Sequence, residues 1–103
     1  MKVSVLKQAS TYILTFPVTI DESEVTSIDD ALFEIYQKGE MVKSIRMGSG
    51  MSFSEGSISI YMTSQDTVDF SGVYLYELWV AIDGNNYFVS EGILTFPTTK
   101  GRI

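Results

Sequence analysis

Apolar and polar residues alternate along much of this chain with a period of two, the mark of strands that bury one face. The longest such tract runs Gly72-Val73-Tyr74-Leu75-Tyr76-Glu77-Leu78-Trp79-Val80-Ala81-Ile82, then Asp83-Gly84-Asn85-Asn86, then Tyr87-Phe88-Val89 and on to Phe96. Two runs rich in β-branched and aromatic residues around a turn cluster predict a long antiparallel hairpin. Gly and Asn tolerate the positive φ of a tight turn, and both a two- and a three-residue loop fit residues 83–86. A hairpin this long and apolar cannot stand alone in water, so its faces have to be covered.

The remaining elements follow from the same pattern. Residues 2–7 set Val3 and Val5 against Lys2 and Ser4, a short strand. Residues 11–19 form a second β run, interrupted by Pro17, and the polar, acidic residues 21–30 read as a loop. Residues 31–37 put Phe33 and Ile35 on one side and Leu32, Glu34 and Tyr36 on the other. Lys38-Gly39-Glu40 turns that strand into residues 41–47; Gly48-Ser49-Gly50 is a break and Ser54-Glu55-Gly56 a turn. Residues 57–63 place Ile58, Ile60 and Met62 inward, and residues 64–71 leave room for one helical turn before the hairpin. No helix-period pattern persists over ten residues. The expectation is an all-β fold, an immunoglobulin-like β-sandwich of seven to eight antiparallel strands in a single domain over residues 1–103.

Ile13-Leu14-Thr15-Phe16-Pro17-Val18-Thr19 recurs as Ile93-Leu94-Thr95-Phe96-Pro97-Thr98-Thr99, identical at six of seven positions. Eighty residues separate the copies, which is no solenoid period. Proline cannot donate to a ladder, so each copy belongs at a sheet edge or a bulge. In immunoglobulin-like sandwiches the first and last strands often pair in parallel at such an edge. Chance recurrence of a β-compatible heptad stands beside that reading.

Composition narrows the chemistry. Hydrophobic residues at 45% against 19% charged exclude a disordered chain of 103 residues. The absence of Cys and His removes disulfides, thiolate nucleophiles, Cys/His zinc sites and imidazole acid–base catalysis. Seven basic against thirteen acidic residues give a net charge of −6, which repels phosphate backbones and argues against a nucleic-acid partner. No apolar run approaches the ~20 residues of a membrane helix. The first seven residues hold too short an apolar segment for a secretory signal, so cytosolic synthesis is expected.

Asp83-Gly84-Asn85-Asn86 lacks the ligand alternation and distal Glu of a calcium loop, and turn chemistry accounts for it. Asp21, Glu22, Glu24, Asp29 and Asp30 read as a solvated loop rather than a cation site. Glu77 sits in the most apolar strand, but no second acid stands at catalytic spacing, and no nucleophile elbow is present. The expectation is no enzyme and no cofactor.

Alternation places Tyr74, Tyr76, Leu78, Val80 and Ile82 on one face of the hairpin strand and Val73, Leu75, Glu77, Trp79 and Ala81 on the other. With the first set in the core, Val73, Leu75 and Trp79 form an outward apolar stripe, the mark of a protein-binding surface. Leu94 and Phe96 join that stripe in one of the two registers the turn allows. A loop or the N-terminal segment folded over this face is the alternative. The spacing Val68-Asp69-Phe70-Ser71-Gly72-Val73-Tyr74 resembles the start of strand F in fibronectin-type domains. That resemblance implies a tyrosine corner at Tyr74, with its hydroxyl bonded to upstream backbone. Here Phe70 stands where that motif usually has Pro, and no disulfide pair accompanies the Tyr.

The pattern Asp66…Gly72-x-Tyr74-x-Tyr76-Glu77-Leu78-x-Val80, a Gly-containing turn, then Gly92-x-Leu94-Thr95-Phe96 resembles small immunoglobulin-like domains of tailed-bacteriophage virion proteins. These include the N-terminal domains of baseplate upper proteins and related head or tail accessory proteins. The resemblance covers residues 29–99. It implies a non-enzymatic structural or assembly protein of a phage or prophage virion, made and assembled in a host cytoplasm. Its implied partners are other virion proteins or copies of itself, in a homo-oligomer or larger assembly. A carbohydrate- or receptor-binding sandwich is the alternative, for which Tyr12, Tyr61, Tyr87 and Trp79 are the candidate rings.

Overall fold

Successive residues with positive φ mark four two-residue loops: Asp21-Glu22 (52° and 64°), Lys38-Gly39 (53° and 81°), Glu55-Gly56 (52° and 77°) and Asp83-Gly84 (52° and 82°). Positive φ at both central residues is the type I′ geometry, whose twist matches that of paired strands. Three of the four place Gly second, where the left-handed conformation is unstrained. The computed structural model describes residues 2–5, 12–67 and 69–96. Within them lie β1 (Lys2–Val5), β2 (Tyr12–Pro17), β3 (Thr19–Ile20), β4 (Ser23–Glu24), β5 (Asp30–Gln37), β6 (Glu40–Met47), β7 (Gly50–Ser54), β8 (Ser57–Met62), the single helical turn α1 (Ser64–Thr67), β9 (Gly72–Ile82) and β10 (Asn85–Phe96).

The fold is all-β. Eight strands join in the order β1-β10-β9-β5-β6-β7-β8-β2, and β3 and β4 form a separate small hairpin. Most pairings are antiparallel, as the alternation and turns require, but two are not. β1 runs parallel to β10, and β6 meets β7 in parallel through only Arg46↔Gly50 and Met47↔Met51. That short joint closes on itself: the Gly48 N–H donates to the Met51 carbonyl at 2.9 Å and the Ser49 N–H to the Arg46 carbonyl at 3.0 Å.

The inner faces of distant strands share one core. Phe16 on β2, Phe33 on β5 and Tyr76 on β9 form a triangle of rings, with centroids 6.0, 5.6 and 5.3 Å apart. The order therefore bends back until β2 meets β5 and β9. Ile58, Ile60 and Met62 on β8 and Leu78 and Val80 on β9 are buried in the same cluster. At its lower end Phe70 stacks on Tyr74 at 4.7 Å, and Phe96 meets both rings edge-on.

β10 corrects one expectation. From Asn85 to Phe88 its register on β9 follows the tip, with Phe88 opposite Trp79, but Ser90 then pairs with Leu78. Val89 is the extra residue of a β-bulge, and one added residue flips every side chain beyond it to the other face. Leu94 is thereby set opposite Tyr74, and both Leu94 and Phe96 are fully buried. They are core residues and do not belong to the outward stripe.

Residues 21–30 are also more ordered than a plain loop, because β3 and β4 pair through Thr19↔Glu24 and Ile20↔Ser23. Val18 beside them is completely buried; its N–H donates to the Gly56 carbonyl at 2.9 Å, and its own carbonyl accepts from Val25 N–H at 3.1 Å. Of the repeated heptad, Pro17 closes β2 at one end of the sheet order, where a residue without an N–H is tolerated. The second copy lies inside the order, with β1 on one side and β9 on the other, and its Pro97 falls outside the described residues.

α1 is held by a reciprocal cap. Asp66 Oδ2 accepts from the Thr63 N–H at 2.8 Å and its hydroxyl at 3.1 Å, while Thr63 Oγ1 accepts from the Asp66 N–H at 3.3 Å. Lys43 Nζ adds an ion pair at 2.9 Å. Burial alone pushes the Asp66 carboxyl up, but Lys43 and Thr63 outweigh it and hold the group below the usual carboxylate value.

Candidate functional site

β9 is central to the site because alternation gives it two unlike faces. Tyr74, Tyr76, Leu78 and Val80 are buried, whereas Val73 and Leu75 are 57% and 49% exposed and Trp79 is half-buried. The neighbouring strands extend this outward face in rows. Leu32 and Phe88 flank Trp79, Glu34 and Glu91 flank Glu77, and Tyr36 and Ile93 flank Leu75. Met41 on β6, opposite Tyr36, is also largely exposed.

The structure thus brings Val73, Leu75 and Trp79 to one surface and leaves Leu94 and Phe96 on the opposite side of the sheet. Residues 2–5 pair with β10 at the edge of the sheet. Sequence alternation alone put Leu32, Glu34 and Tyr36 on the second side of their strand. It carried no register between β5 and β9, so their place beside Trp79, Glu77 and Leu75 emerges only from the pairing. Phe88 takes its place from the two-residue tip, whereas Glu91 and Ile93 were hidden for a further reason, the unannounced bulge at Val89.

Around Trp79 the geometry is specific. Its Nε1–H donates to Glu77 Oε1 at 3.2 Å, two residues away on the same face, and its ring meets Phe88 edge-on at 5.2 Å. Small Ala81 leaves a depression of about 390 Å3 beside it, bordered by Asp30, Leu32, Arg46 and Asn86. Arg46 and Asp30 pair there at 3.0 Å, a well-solvated contact worth little on its own. A second depression, about 220 Å3, lies between Tyr36, Leu75, Glu77 and Glu91, with Gly92 contributing no side chain. Desolvation first, then the Glu34 carboxylate and the charge of Glu77, push the Tyr36 phenol above its usual value.

Tyr74 occupies the other side. Its ring is buried and its hydroxyl accepts from the Ser71 N–H at 3.0 Å, bracing the strand where β9 begins. Val68, at the start of that motif, lies outside the described residues. Tyr76 is buried among Phe16 and Phe33; its hydroxyl finds no well-aligned hydrogen-bond partner among the described residues, and burial, outweighing the neighbouring Ser90 hydroxyl, pushes its pKa up.

The four rings considered for sugar binding do not converge. Trp79 lies on the outward face of β9 and Tyr61 on the exposed side of β8, while Tyr12 and Tyr87 pack against the core. Among the described residues no group of three or more acidic side chains is arranged to hold a metal ion, and no helix is long and apolar enough to cross a membrane. No protein family, curated protein or solved structure matches the chain.

Proposed function

We propose that this chain is a non-enzymatic contact module, an immunoglobulin-like sandwich whose β5–β9–β10 face binds a neighbouring protein in a larger assembly. In this reading β1, β10, β9, β5 and β6 make one layer and β7, β8 and β2 the other, with the two-residue β6–β7 joint as the corner between them. The virion of a tailed phage, assembled in a host cytoplasm, is the assembly that the sequence resemblance implies.

The observation that carries the reading is the exposure of Val73 and Leu75 beside half-buried Trp79 on the outward face of β9. Covering a Leu side chain fully is favourable by about 1.5–3 kcal/mol, and Trp is a favoured interface anchor. Dispersal of the Tyr rings gives a sugar platform less support than a protein contact.

A photo-crosslinking residue at position 75 tests this directly, with the same residue at Tyr61 on β8 as the control. In cells producing the full assembly, position 75 should yield one defined protein adduct that position 61 does not. Equal smears from both positions, or no adduct at 75, would sink the contact reading.

A further inference from the structure

The apolar residues of the outward face are divided by a row of like charge. Glu34 pairs with Glu77 across β5 and β9, and Glu77 pairs with Glu91 across β9 and β10. Like charges directly opposite each other on adjacent strands are destabilising, so the pairing of these strands carries a cost here that an opposite charge can offset. Ion pairs among the described residues are Lys43–Asp66 and Arg46–Asp30, and neither reaches this row. Glu77 receives the Trp79 N–H, and among the described residues no cation pairs with it. Val73 and Leu75 lie to one side of the carboxylates, Trp79 and Phe88 to the other.

This arrangement chooses between occupants. A second copy docked through the same face brings three more glutamates against these three, in a chain whose net charge is already −6. Desolvating like charges at an interface opposes association. A segment carrying Lys or Arg between apolar side chains meets the opposite situation, because each cation relieves repulsion that exists before binding. The 220 Å3 depression suits such a side chain. A side chain entering it would meet Leu75 along its methylene stem, the Glu77 and Glu91 carboxylates at its charged head, and Tyr36 on the wall. Lys38 also lines the depression without pairing there.

We infer that the β5–β9–β10 face takes a basic, amphipathic segment of a different protein, with a Lys or Arg seated between Glu77 and Glu91 and apolar neighbours on Leu75 and Trp79. The inference rests on the contact reading above and names its partner's chemistry.

Trp79 is the only tryptophan and sits on this face, so its fluorescence reports binding without a label. The full chain is titrated with an acetylated, amidated peptide of four Lys-Val repeats and, separately, of four Glu-Val repeats. The basic peptide should give a saturable change in Trp79 emission, and the acidic one none. In the Glu77→Gln/Glu91→Gln double variant the affinity should fall about tenfold, and added salt should weaken the wild-type complex comparably. The double variant should melt at or above the wild-type temperature, since it loses repulsion and keeps an acceptor for Trp79; that separates lost binding from lost folding. An equal response to both peptides, no response to the basic one at millimolar concentration, or undiminished affinity in the variant overturns the inference. A position-75 adduct consisting of a second copy also overturns it, while leaving the contact reading in place.

Discussion

Tyr74 shows how one side chain serves two purposes. Its ring fills the space between Phe70 and Phe96, and its hydroxyl ties down the Ser71 N–H at 3.0 Å. Tyr74→Phe keeps the ring and removes only the acceptor. Ser71 is exposed, so water can satisfy the freed N–H, and the loss should fall in the ordinary range for one hydrogen bond, about 0.5–1.5 kcal/mol. Urea titration of both proteins checks it; a midpoint unchanged within error would mean the hydroxyl contributes no stability. At this scale the sequence was legible wherever alternation was clean. Ile58, Ile60, Met62, Tyr74 and Tyr76 lie inward as expected, and Phe33 and Ile35 share one face, which is the inner one. Asp21 and Glu22 were not legible, because two acidic residues at positive φ form a turn that carries no glycine to announce it.

Between elements, register decided what residue patterns left open. The tip resolves as a two-residue Asp83-Gly84 loop, which fixes Asn85 opposite Ile82. Continued without interruption, that register sets Leu94 opposite Val73 and faces it outward. The bulge at Val89 instead brings Leu94 and Phe96 into the core, and nothing in the composition of β10 marks Val89 for that role. Deleting Val89 removes only the extra residue: Phe88 stays opposite Trp79, Ser90 stays opposite Leu78, and Leu94 and Phe96 keep their inward places. Adding a second residue after Val89 instead forces a wider bulge or a one-residue slip that turns Leu94 and Phe96 into water. Losing burial of one Leu and one Phe amounts to several kcal/mol, on the scale of about 1.5–3 kcal/mol for each. The insertion variant should lose its cooperative thermal transition or bind a hydrophobic dye, while the deletion variant keeps a cooperative transition. Loss of that transition on deletion, or wild-type stability after insertion, would show that the count of residues at the bulge does not set the face of Leu94. The candidate face has the same dependence: its members are visible strand by strand, but the glutamate row exists only once β5, β9 and β10 are in register.

At the scale of the whole molecule, one continuous strand order encloses its core. Phe16 on β2 touches Phe33 and Tyr76 from the far part of the order, so the sheet must turn sharply somewhere between them. The weakest junction is the place to look. β9 and β10 pair along eleven residue pairs, whereas β6 and β7 share only Arg46↔Gly50 and Met47↔Met51. If that junction is a corner between two layers, its ladder bonds add little, and the Gly48-Ser49 link acts as a tether. Lengthening a tether costs only the entropy of a longer loop, about 0.6 kcal/mol for each doubling. If the junction is instead a stave of a nearly closed barrel, separating it removes ladder bonds and opens the core to water. Inserting Gly-Ser-Gly after Ser49 separates these cases. Under the two-layer reading the insertion should lower stability by about 1 kcal/mol or less, with the β-sheet circular dichroism unchanged and the amides of β5 and β9 still slow to exchange. A loss of several kcal/mol, with faster exchange spreading into β8, would show that the joint is part of a closed wall, and the sandwich assignment would fall with it.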